Sequence, residues 1–213
     1  MTPGDFVSFL RQERSSAILR ASDAEAGRKA MEAAIRGGFR AVEFTLTTPR
    51  ALELVAEFAR RPDLVVGAGT VLSVAQAREA VAAGARFLVS PVVDEAILVE
   101  ARSLGVVILP GTFTPTEMWR AHQLGAPLVK LFPAPGNGPT YVRQIIGPFP
   151  MLKIVPTAGV DASNAAAYLE AGAWAVGFVS SLFVSEDLAE GRFDRIEERA
   201  RQLRASAAAA RIR

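Results

Sequence analysis

Short apolar runs alternate with longer amphipathic stretches along the whole chain, and this alternation restricts the possible folds more than any other feature. Each run is five or six residues long, rich in Val, Ile, Leu and Phe, and mostly apolar on both faces. Such runs are typical of strands in a parallel sheet that helices cover. We predict eight strands, at 17–21, 41–46, 64–68, 86–90, 106–110, 128–132, 152–156 and 174–179.

The junction between an amphipathic stretch and the next apolar run recurs in a closely similar form. Gly84, Gly105, Gly125 and Gly172 each stand just before an apolar run, at the point where a helix should end. Glycine is favoured there because it adopts the left-handed conformation that closes a helix. The repeat, with a period of roughly twenty to twenty-five residues, predicts consecutive βα units.

Eight βα units within 213 residues predict the α/β class and a (β/α)8 fold, or TIM barrel. We expect a single domain over 1–213, with a helix before strand one, the barrel proper at about 15–183 and a C-terminal helix at about 186–213. A doubly wound sheet is the alternative. It fits less well, because GAGTVL at 67–72 lacks the third glycine of a dinucleotide-binding fingerprint.

The composition excludes several kinds of function. The chain has no cysteine and one histidine, His122, which excludes disulfides, thiolate metal sites and histidine-rich zinc sites. A formal net charge of +2 does not indicate a nucleic-acid partner, and no segment reaches the ~18 apolar residues of a membrane span. We therefore expect a cytoplasmic protein with neither a nucleic-acid nor a membrane partner.

Two charged residues interrupt apolar runs that should be buried. Glu43 lies within AVEFTL and Lys130 within LVKLF, although the chain has few lysines among its 24 basic residues. A buried ammonium group is costly unless it is paired or deprotonated. The two residues therefore form either a structural ion pair or a reactive site. In the second case a neutral lysine attacks a ketone to give a Schiff base, and the carboxylate moves protons.

The residue pattern alone leaves the choice of nucleophile open. Lys153 in LKIVP precedes a proline by three residues, as Lys130 does in VKLFP. Either lysine fits the role, with the other as a neighbouring positive charge. Arg20, at the end of the first run, is the one arginine that we place at the carboxyl end of a strand, where barrel enzymes collect their functional residues.

Several stretches together carry a family resemblance from about residue 17 to residue 181. They are VEFTLTTP at 42–49, VGAGTVL at 66–72, FLVSP at 87–91, LPGTFTPTE at 109–117, VKLFPA at 129–134, GPFP at 147–150 and VPTAGV at 155–160. In this order the sequence resembles the class I aldolases that cleave 2-keto-3-deoxy-6-phosphogluconate and 4-hydroxy-2-oxoglutarate to release pyruvate. Lysine followed by LFPA, with GAGTVL upstream, is the specific combination.

The resemblance implies a (β/α)8 barrel with Lys130 as the Schiff-base lysine and Glu43 as the acid–base residue. It places Thr70 near the substrate, and Pro91 and Phe132 in the wall of the pyruvate pocket. It also implies a small 2-keto acid substrate and a homotrimer. Neither a metal nor an organic cofactor is expected, since the iminium itself withdraws electrons from the bond that breaks.

The resemblance further implies a phosphate end of the substrate site. Pro156, Thr157, Gly159 and Ser180 correspond to the family residues there, where backbone N–H groups would hold an anion. We therefore expect Thr157, Gly159 and Ser180 among the substrate-binding residues.

The sequence departs from the family pattern at two places. Many members carry an arginine for the substrate carboxylate where this chain has Thr47, and we expect Arg20 on the neighbouring strand to supply that guanidinium. Members often have glycines where this chain has Ala158 and the pair Phe178 and Val179. We expect these larger residues to restrict a phosphate's approach to the backbone.

The implied reaction cleaves a 2-keto-4-hydroxy acid to pyruvate plus glyceraldehyde 3-phosphate or glyoxylate, in carbohydrate metabolism of the Entner–Doudoroff type. One alternative is a deoxyribose-phosphate-type aldolase with cooperating lysines on adjacent strands, a role that Lys130 and Lys153 would fit. Another is a non-catalytic phosphosugar-binding barrel. A metal-dependent class II aldolase is disfavoured, because we expect His122 in a helix between strands five and six.

Overall fold

Helices and strands alternate along the computed structural model, which describes residues 1–211. In chain order the elements are α1 (Pro3–Glu13), β1 (Ser15–Leu19), α2 (Ala24–Arg36), β2 (Ala41–Thr45), α3 (Ala51–Phe58), β3 (Val65–Gly69), α4 (Val74–Ala82), β4 (Phe87–Val89), α5 (Glu95–Ser103), β5 (Val107–Leu109), β6 (Gly111–Thr112), α6 (Pro115–Gln123), β7 (Val129–Leu131), α7 (Gly138–Ile146), β8 (Ile154–Pro156), α8 (Ala165–Glu170), β9 (Val176–Phe178), α9 (Ser185–Ala189) and α10 (Phe193–Ala208). The predicted α/β class is confirmed.

The strand pairs of the described residues are parallel and form two sheets. The larger sheet has the order β5-β4-β3-β2-β1-β9, and the smaller one has the order β6-β7-β8. An isolated parallel bridge between Thr157 and Gly177 connects the end of β8 to β9. The architecture is therefore a parallel half-barrel sheet with a second, shorter sheet beside it.

The predicted fifth strand differs from the structure, because the chain forms two short strands, β5 and β6, on either side of Pro110. Proline has no N–H group to donate to a strand ladder. Its carbonyl oxygen still accepts a hydrogen bond from the backbone N–H of Lys130 at 2.9 Å. The chain passes from one sheet to the other at Pro110, so the single eight-stranded ladder that the sequence predicts is interrupted there.

The residues of β2 alternate between two hydrophobic cores. Val42 and Phe44 pack in the outer core together with helix residues, whereas Ala41 belongs to the inner core that the strands surround. Successive side chains of a strand point to opposite faces. Glu43 therefore shares the inner face with Ala41 and Thr45, which places a carboxyl group inside the sheet's curve.

Helix α1 covers the inner core at the amino-terminal end of the strands. Phe6 and Leu10 of α1 are buried in that core, and the Phe6 ring stacks on the Phe87 ring at 4.6 Å between centroids. The backbone carbonyl of Val7 accepts a hydrogen bond from the Trp174 indole nitrogen at 2.9 Å. The predicted helix before strand one thus closes one end of the interior to water.

The C-terminal helix predicted at about 186–213 is two helices in the structure. Helix α9 ends at Ala189 and α10 begins at Phe193, with Gly191 between them in the left-handed region at φ +67°. The last predicted helical residues, 212–213, lie outside the described residues. Within residues 1–211, no helix is both long and apolar enough to cross a membrane.

Candidate active site

The side chains predicted as site residues come from separate strands that surround one interior. Parallel strands present their carboxyl ends on the same side, and Arg20 and Thr70 directly follow β1 and β3. The register sets Glu43 beside Gly67 and Lys130 beside Gly111. Arg20 and Thr70 therefore lie at the carboxyl ends of their strands, whereas Glu43 and Lys130 lie in the middle of theirs.

Glu43 is a buried acid without a hydrogen-bond partner for one of its oxygens. The residue is 2% exposed, and its Oε1 atom has no partner among the described residues. Burial raises the pKa of the Glu43 carboxyl above its ordinary value, against the opposing effect of the positive charges on Lys130 and Arg20. A raised pKa favours the protonated carboxyl, which is the form that acts as a general acid.

Lys130 is a buried amine at the centre of β7. The residue is 8% exposed, and its Nζ atom lies 4.7 Å from the centre of the Phe132 ring. Burial lowers the pKa of the Lys130 amine, the negative charge of Glu43 raises it, and the positive charge of Arg20 lowers it further. The net lowering favours the unprotonated amine, which is the nucleophilic form.

Lys130 and Glu43 are neighbours, but they do not form a close ion pair. The salt bridges within 4.0 Å that the described residues form include neither side chain. Both nevertheless line one small interior cavity, and each influences the pKa of the other. The alternative of a purely structural ion pair therefore lacks the direct contact that it requires.

Thr70 has a strained backbone at the rim of the site. Its φ is +59°, in the left-handed region that a β-branched residue rarely adopts. Backbone strain of this kind clusters at functional sites. The Thr70 Oγ1 atom accepts a hydrogen bond from Nη2 of Arg20 at 3.3 Å, so the two predicted substrate-binding residues contact each other.

Arg20 also lies close to the position where the family arginine is missing. One open surface pocket is lined by both Arg20 and Thr47. Thr47 is exposed, and its hydroxyl is 3.0 Å from the hydroxyl of Thr45. Arg20 thus lies near Thr47, and its role in place of the family arginine stays a prediction.

Pro91 and Phe132 both lie close to the strand that carries Lys130. The Phe132 ring contacts Lys130 directly. Pro91 approaches Gly111, the register partner of Lys130, so closely that a Cβ atom on Gly111 would lie 2.2 Å from the Pro91 carbonyl oxygen. The structure therefore places both predicted wall residues next to the Lys130 strand.

Thr157 occupies a different place from the one that the resemblance implies. It is 2% exposed and lines the same interior cavity as Glu43 and Lys130. Its hydroxyl donates to the backbone carbonyl of Val155 at 3.4 Å. The Thr157 side chain thus faces the reacting groups, and only the backbone that follows it leads to the predicted phosphate end.

Two loops meet at the predicted phosphate end. The Ser181 hydroxyl donates to the Val160 carbonyl at 2.6 Å and joins the loop after β8 to the loop after β9. Ala158 and Gly159 both have a positive φ, +60° and +97°. Their backbone N–H groups, and that of Ser180, have no acceptor among the described residues. Free N–H groups that follow one another in a turn can form a concave arrangement that binds anions.

The expectation that the Phe178 side chain restricts a phosphate's approach to the backbone is wrong. The Phe178 side chain is fully buried in the outer core, where its ring meets the Phe39 ring edge-on at 6.0 Å. It points to the helices because strand residues alternate between faces, so the inner face at this level belongs to Gly177. Ala158 and Val179 remain as the residues that add side chains at the predicted phosphate end.

Lys153 lies at the opposite end of the molecule. It immediately precedes β8, and its Nζ atom stacks over the Trp174 ring at 4.8 Å from the centroid. The Trp174 indole is hydrogen-bonded to α1, at the closed end of the interior. The two lysines therefore do not cooperate at one site, which removes the structural basis for the deoxyribose-phosphate-type alternative.

The single histidine also lies away from the site. His122 is on α6, where its ring stacks on Trp119 at 5.6 Å between centroids. In residues 1–211, no group of three or more His, Cys, Asp or Glu side chains is arranged to hold a metal ion.

Sequence reasoning missed two residues near the proposed reacting groups. Ser16 lines the interior cavity, and Gly69 lies against the Glu43 carboxyl group. The available signal was the pair of glycines in VVGAG, because glycine inside a strand often marks the close approach of another group.

Comparison with known proteins identifies the family. A family model described as "Aldolase: KDPG and KHG aldolase" matches residues 7–199. The chain belongs to the KDPG and KHG aldolase family. It is 35% identical over 179 residues to the 2-dehydro-3-deoxy-phosphogluconate aldolase of Pseudoalteromonas atlantica, covering 83% of each chain. It is 35% identical to the KHG/KDPG aldolase of Escherichia coli K12, over 80% of this chain and 81% of that protein.

Solved structures of KDPG aldolases have the same fold. The enzyme of Legionella pneumophila, in a structure with pyruvate captured as a covalent carbinolamine, matches with a TM-score of 0.85 and 28% identity over 95% of this chain and 98% of that one. A native KDPGal structure matches with a TM-score of 0.84 and 26% identity, over 92% of this chain and 95% of the other. The chain is accordingly a lyase of the class I, pyruvate-dependent aldolase type.

Proposed function

We propose that this KDPG and KHG aldolase family member cleaves a 2-keto-4-hydroxy acid through a Schiff base on Lys130. The observation that carries the proposal is the pairing of a buried amine and a buried carboxyl group in one interior cavity. Burial favours the neutral form of each group, and a neutral amine beside a protonated acid is the combination that condenses with a ketone.

The proposed reaction begins with attack of the Lys130 amine on the substrate's 2-keto carbon. The carbinolamine oxygen takes a proton from Glu43 and leaves as water, and an iminium remains. The iminium accepts the electron pair of the C3–C4 bond as that bond breaks, while Glu43, now a carboxylate, takes the C4 hydroxyl proton and an aldehyde is released. Protonation of the enamine at C3 and hydrolysis of the iminium then release pyruvate and regenerate the lysine.

The covalent iminium withdraws the electrons in this reaction, so we expect no metal or organic cofactor. Dialysis against a chelator should leave turnover unchanged. Restoration of a lost activity by a divalent cation would contradict the lysine mechanism.

We propose Arg20 and Thr70 as the residues that hold the substrate carboxylate end. The guanidinium of Arg20 is close enough to both reacting groups to influence their pKa values, and it contacts Thr70. A guanidinium can bind a carboxylate with two parallel hydrogen bonds.

We propose a phosphorylated sugar acid as the preferred substrate. The free N–H groups of Ala158, Gly159 and Ser180 support this, because such groups bind phosphate oxygens. The names of the relatives include phosphogluconate and phosphogalactonate derivatives. The methyl group of Ala158 is the observation that favours 4-hydroxy-2-oxoglutarate as the second candidate, since it occupies space beside these amides.

Pyruvate release should therefore be measured with 2-keto-3-deoxy-6-phosphogluconate and 4-hydroxy-2-oxoglutarate side by side. The proposal expects a higher kcat/KM with the phosphorylated acid and no cleavage of deoxyribose 5-phosphate. A higher kcat/KM with 4-hydroxy-2-oxoglutarate would contradict the phosphate assignment alone. No turnover of any 2-keto-4-hydroxy acid would favour the non-catalytic phosphosugar-binding barrel.

We also propose that the two sheets close into one (β/α)8 ring, with a single domain over 1–213 and a barrel proper at about 15–183. The Thr157–Gly177 bridge supports closure on one side, and the passage of the chain from β5 through Pro110 to β6 supports it on the other. The Entner–Doudoroff role and the cytoplasmic location remain predictions.

A homotrimer is part of the same proposal. Phe113, Trp119 and Met151 are 42%, 38% and 47% exposed, and exposed apolar side chains of this size support association with further copies of the chain. Light scattering after size-exclusion chromatography should give three times the chain mass. A monomer mass at every concentration would contradict this.

A further inference from the structure

Strand β3 carries two glycines, Gly67 and Gly69, whose missing side chains leave space on its inner face. Neighbouring strands fill this space with larger groups. A Cβ atom on Gly67 would lie 2.4 Å from the Phe87 ring, and a Cβ atom on Gly69 would lie 1.8 Å from Oε1 of Glu43. The first space therefore holds a core ring, and the second holds the acid–base residue.

The contact between Gly69 and Glu43 involves the end of the acidic side chain. The same Cβ position is 2.7 Å from Cδ and 3.1 Å from Cγ of Glu43, and real Cβ atoms do not come within 3.0 Å of another heavy atom. The carboxyl group thus occupies the volume that any other residue at position 69 would need for its own side chain.

The backbone of Gly69 does not itself require glycine. Its φ lies outside the left-handed range, in a strand conformation that any residue can adopt. The requirement comes from Glu43. The Oε1 atom of Glu43 has no hydrogen-bond partner among the described residues. The restraint that the structure shows on this atom is its packing against the backbone of Gly69.

We propose that Gly69 is a positioning residue for the reaction: its missing side chain lets the Glu43 carboxyl group lie along β3 and reach the carboxyl end of the strands. This inference rests on the proposed function of Glu43. Gly69 touches neither the substrate nor the reacting carbon in this account. It acts by leaving open the path that Glu43 takes toward Lys130 and Thr70.

A double-mutant cycle tests this role. The variants are Gly69→Ala, Glu43→Ala and the two combined, with Gly67→Ala as a matched control on the same face of the same strand. Each is measured for kcat, for exchange of the pyruvate methyl protons in heavy water, for pyruvate trapped by borohydride, and for Tm. Proton exchange reports Glu43 directly, whereas a loss of folded protein lowers every signal together.

The expected result is that Gly69→Ala lowers kcat and proton exchange by about 10²-fold, as loss of a general acid–base does, while trapped adduct still forms slowly. In the Glu43→Ala background the same methyl group should cause no further loss of activity, and it should restore Tm because it fills the space that Glu43 vacates. Gly67→Ala should lower Tm through Phe87 while kcat per folded molecule stays within about threefold of the parent.

Several outcomes would overturn the proposal. They are an unchanged kcat in Gly69→Ala, equal losses of activity in the parent and Glu43→Ala backgrounds, or a Gly67→Ala variant with the same loss of proton exchange. If Gly69→Ala does not fold but the double variant does, the competition for space is established. If neither folds, β3 needs the glycine independently of Glu43. An inactive parent would instead refute the proposed function.

Discussion

At the scale of single residues, the account depends on what burial does to two ionisable groups. Glu43 and Lys130 lie in one cavity with no close ion pair, and burial opposes the charged form of each. Replacing Glu43 by Gln keeps the shape of the side chain but prevents proton transfer. We expect kcat to fall by ~10²–10⁴, with a borohydride-trapped adduct that forms more slowly. An unchanged kcat would show that Glu43 only supports Lys130 structurally.

Replacing Lys130 by Met distinguishes a neutral amine from a buried ion pair. The pKa of Lys130 is lowered in the folded state, so the unfolded chain binds more protons below the ordinary lysine value of 10.5, and the parent loses stability as the pH falls from there. Met fills similar volume without this cost. We expect a higher Tm for Lys130→Met at neutral pH, with the gain shrinking toward pH 10.5.

The measurement is thermal unfolding of Lys130→Met across this pH range, with Lys153→Met as the matched control at the other end of the molecule. If Lys130 and Glu43 formed a structural ion pair, Lys130→Met would instead destabilise the protein by about 3–5 kcal/mol at neutral pH. A Tm below that of the parent would therefore contradict the neutral-amine account.

The family pattern is broken at Thr47, and Arg20 is the residue that we expect to bind the substrate carboxylate instead. With Thr47 in place of the usual arginine, Arg20→Ala should raise KM for 2-keto acids by ~30-fold or more. Arg20→Lys should recover only part of this loss, because an ammonium lacks the planar fork of a guanidinium. The control is Arg78→Ala, since Arg78 pairs with Glu100 on the helix surface. A KM for Arg20→Ala within about twofold of the parent would show that Arg20 does not bind the carboxylate.

The buried positions of the two proposed reacting residues could be predicted from the sequence, because a charge inside an apolar run is itself the signal. The choice between Lys130 and Lys153 came from the family resemblance and not from the pattern, and the structure explains it by placing Lys153 on Trp174 at the closed end. Gly69 was missed, because its contact with Glu43 depends on how far a neighbouring side chain extends along the strands. The interior position of the Thr157 side chain could not be predicted, since the sequence does not show which way a side chain points.

At the scale of elements, α1 is the helix that covers the amino-terminal end of the interior. Its Phe6 ring fills the closed end of the interior against Phe87. Phe6→Ala should lower the free energy of unfolding by about 3–5 kcal/mol. Phe9→Ala on the same helix is the control and should cost less, because Phe9 is only partly buried. Denaturant unfolding measures both, and equal losses would contradict the role given to Phe6.

The elements themselves were mostly predictable, because the apolar runs and the glycines at helix ends report local structure directly. The interruptions within two predicted elements were not predictable. Pro110 divides the fifth strand, although a proline at the end of a run reads equally well as a normal strand end. Gly191 separates α9 from α10, within a stretch whose composition is that of one long helix.

At the scale of the whole molecule, the fold provides one open end and one closed end. Helix α1 closes the amino-terminal side. The proposal therefore has the substrate enter from the other side, where the loops carry Arg20, Thr70 and the free amides of the predicted phosphate end. The repeat predicts eight strands, whereas residues 1–211 form nine, because the predicted fifth strand is divided into β5 and β6. The division of the strands into two sheets depends on hydrogen bonds that the repeat does not encode.

The central claim is that Lys130 forms a covalent bond to the 2-keto acid. The direct measurement is borohydride reduction in the presence of pyruvate, followed by mass spectrometry of the intact chain and its peptides. The account predicts one reduced pyruvate unit per chain on the peptide that contains Lys130, no adduct in Lys130→Met, and a normal adduct in Lys153→Met. An adduct that persists in Lys130→Met and disappears in Lys153→Met, or no adduct on the parent chain, would contradict it.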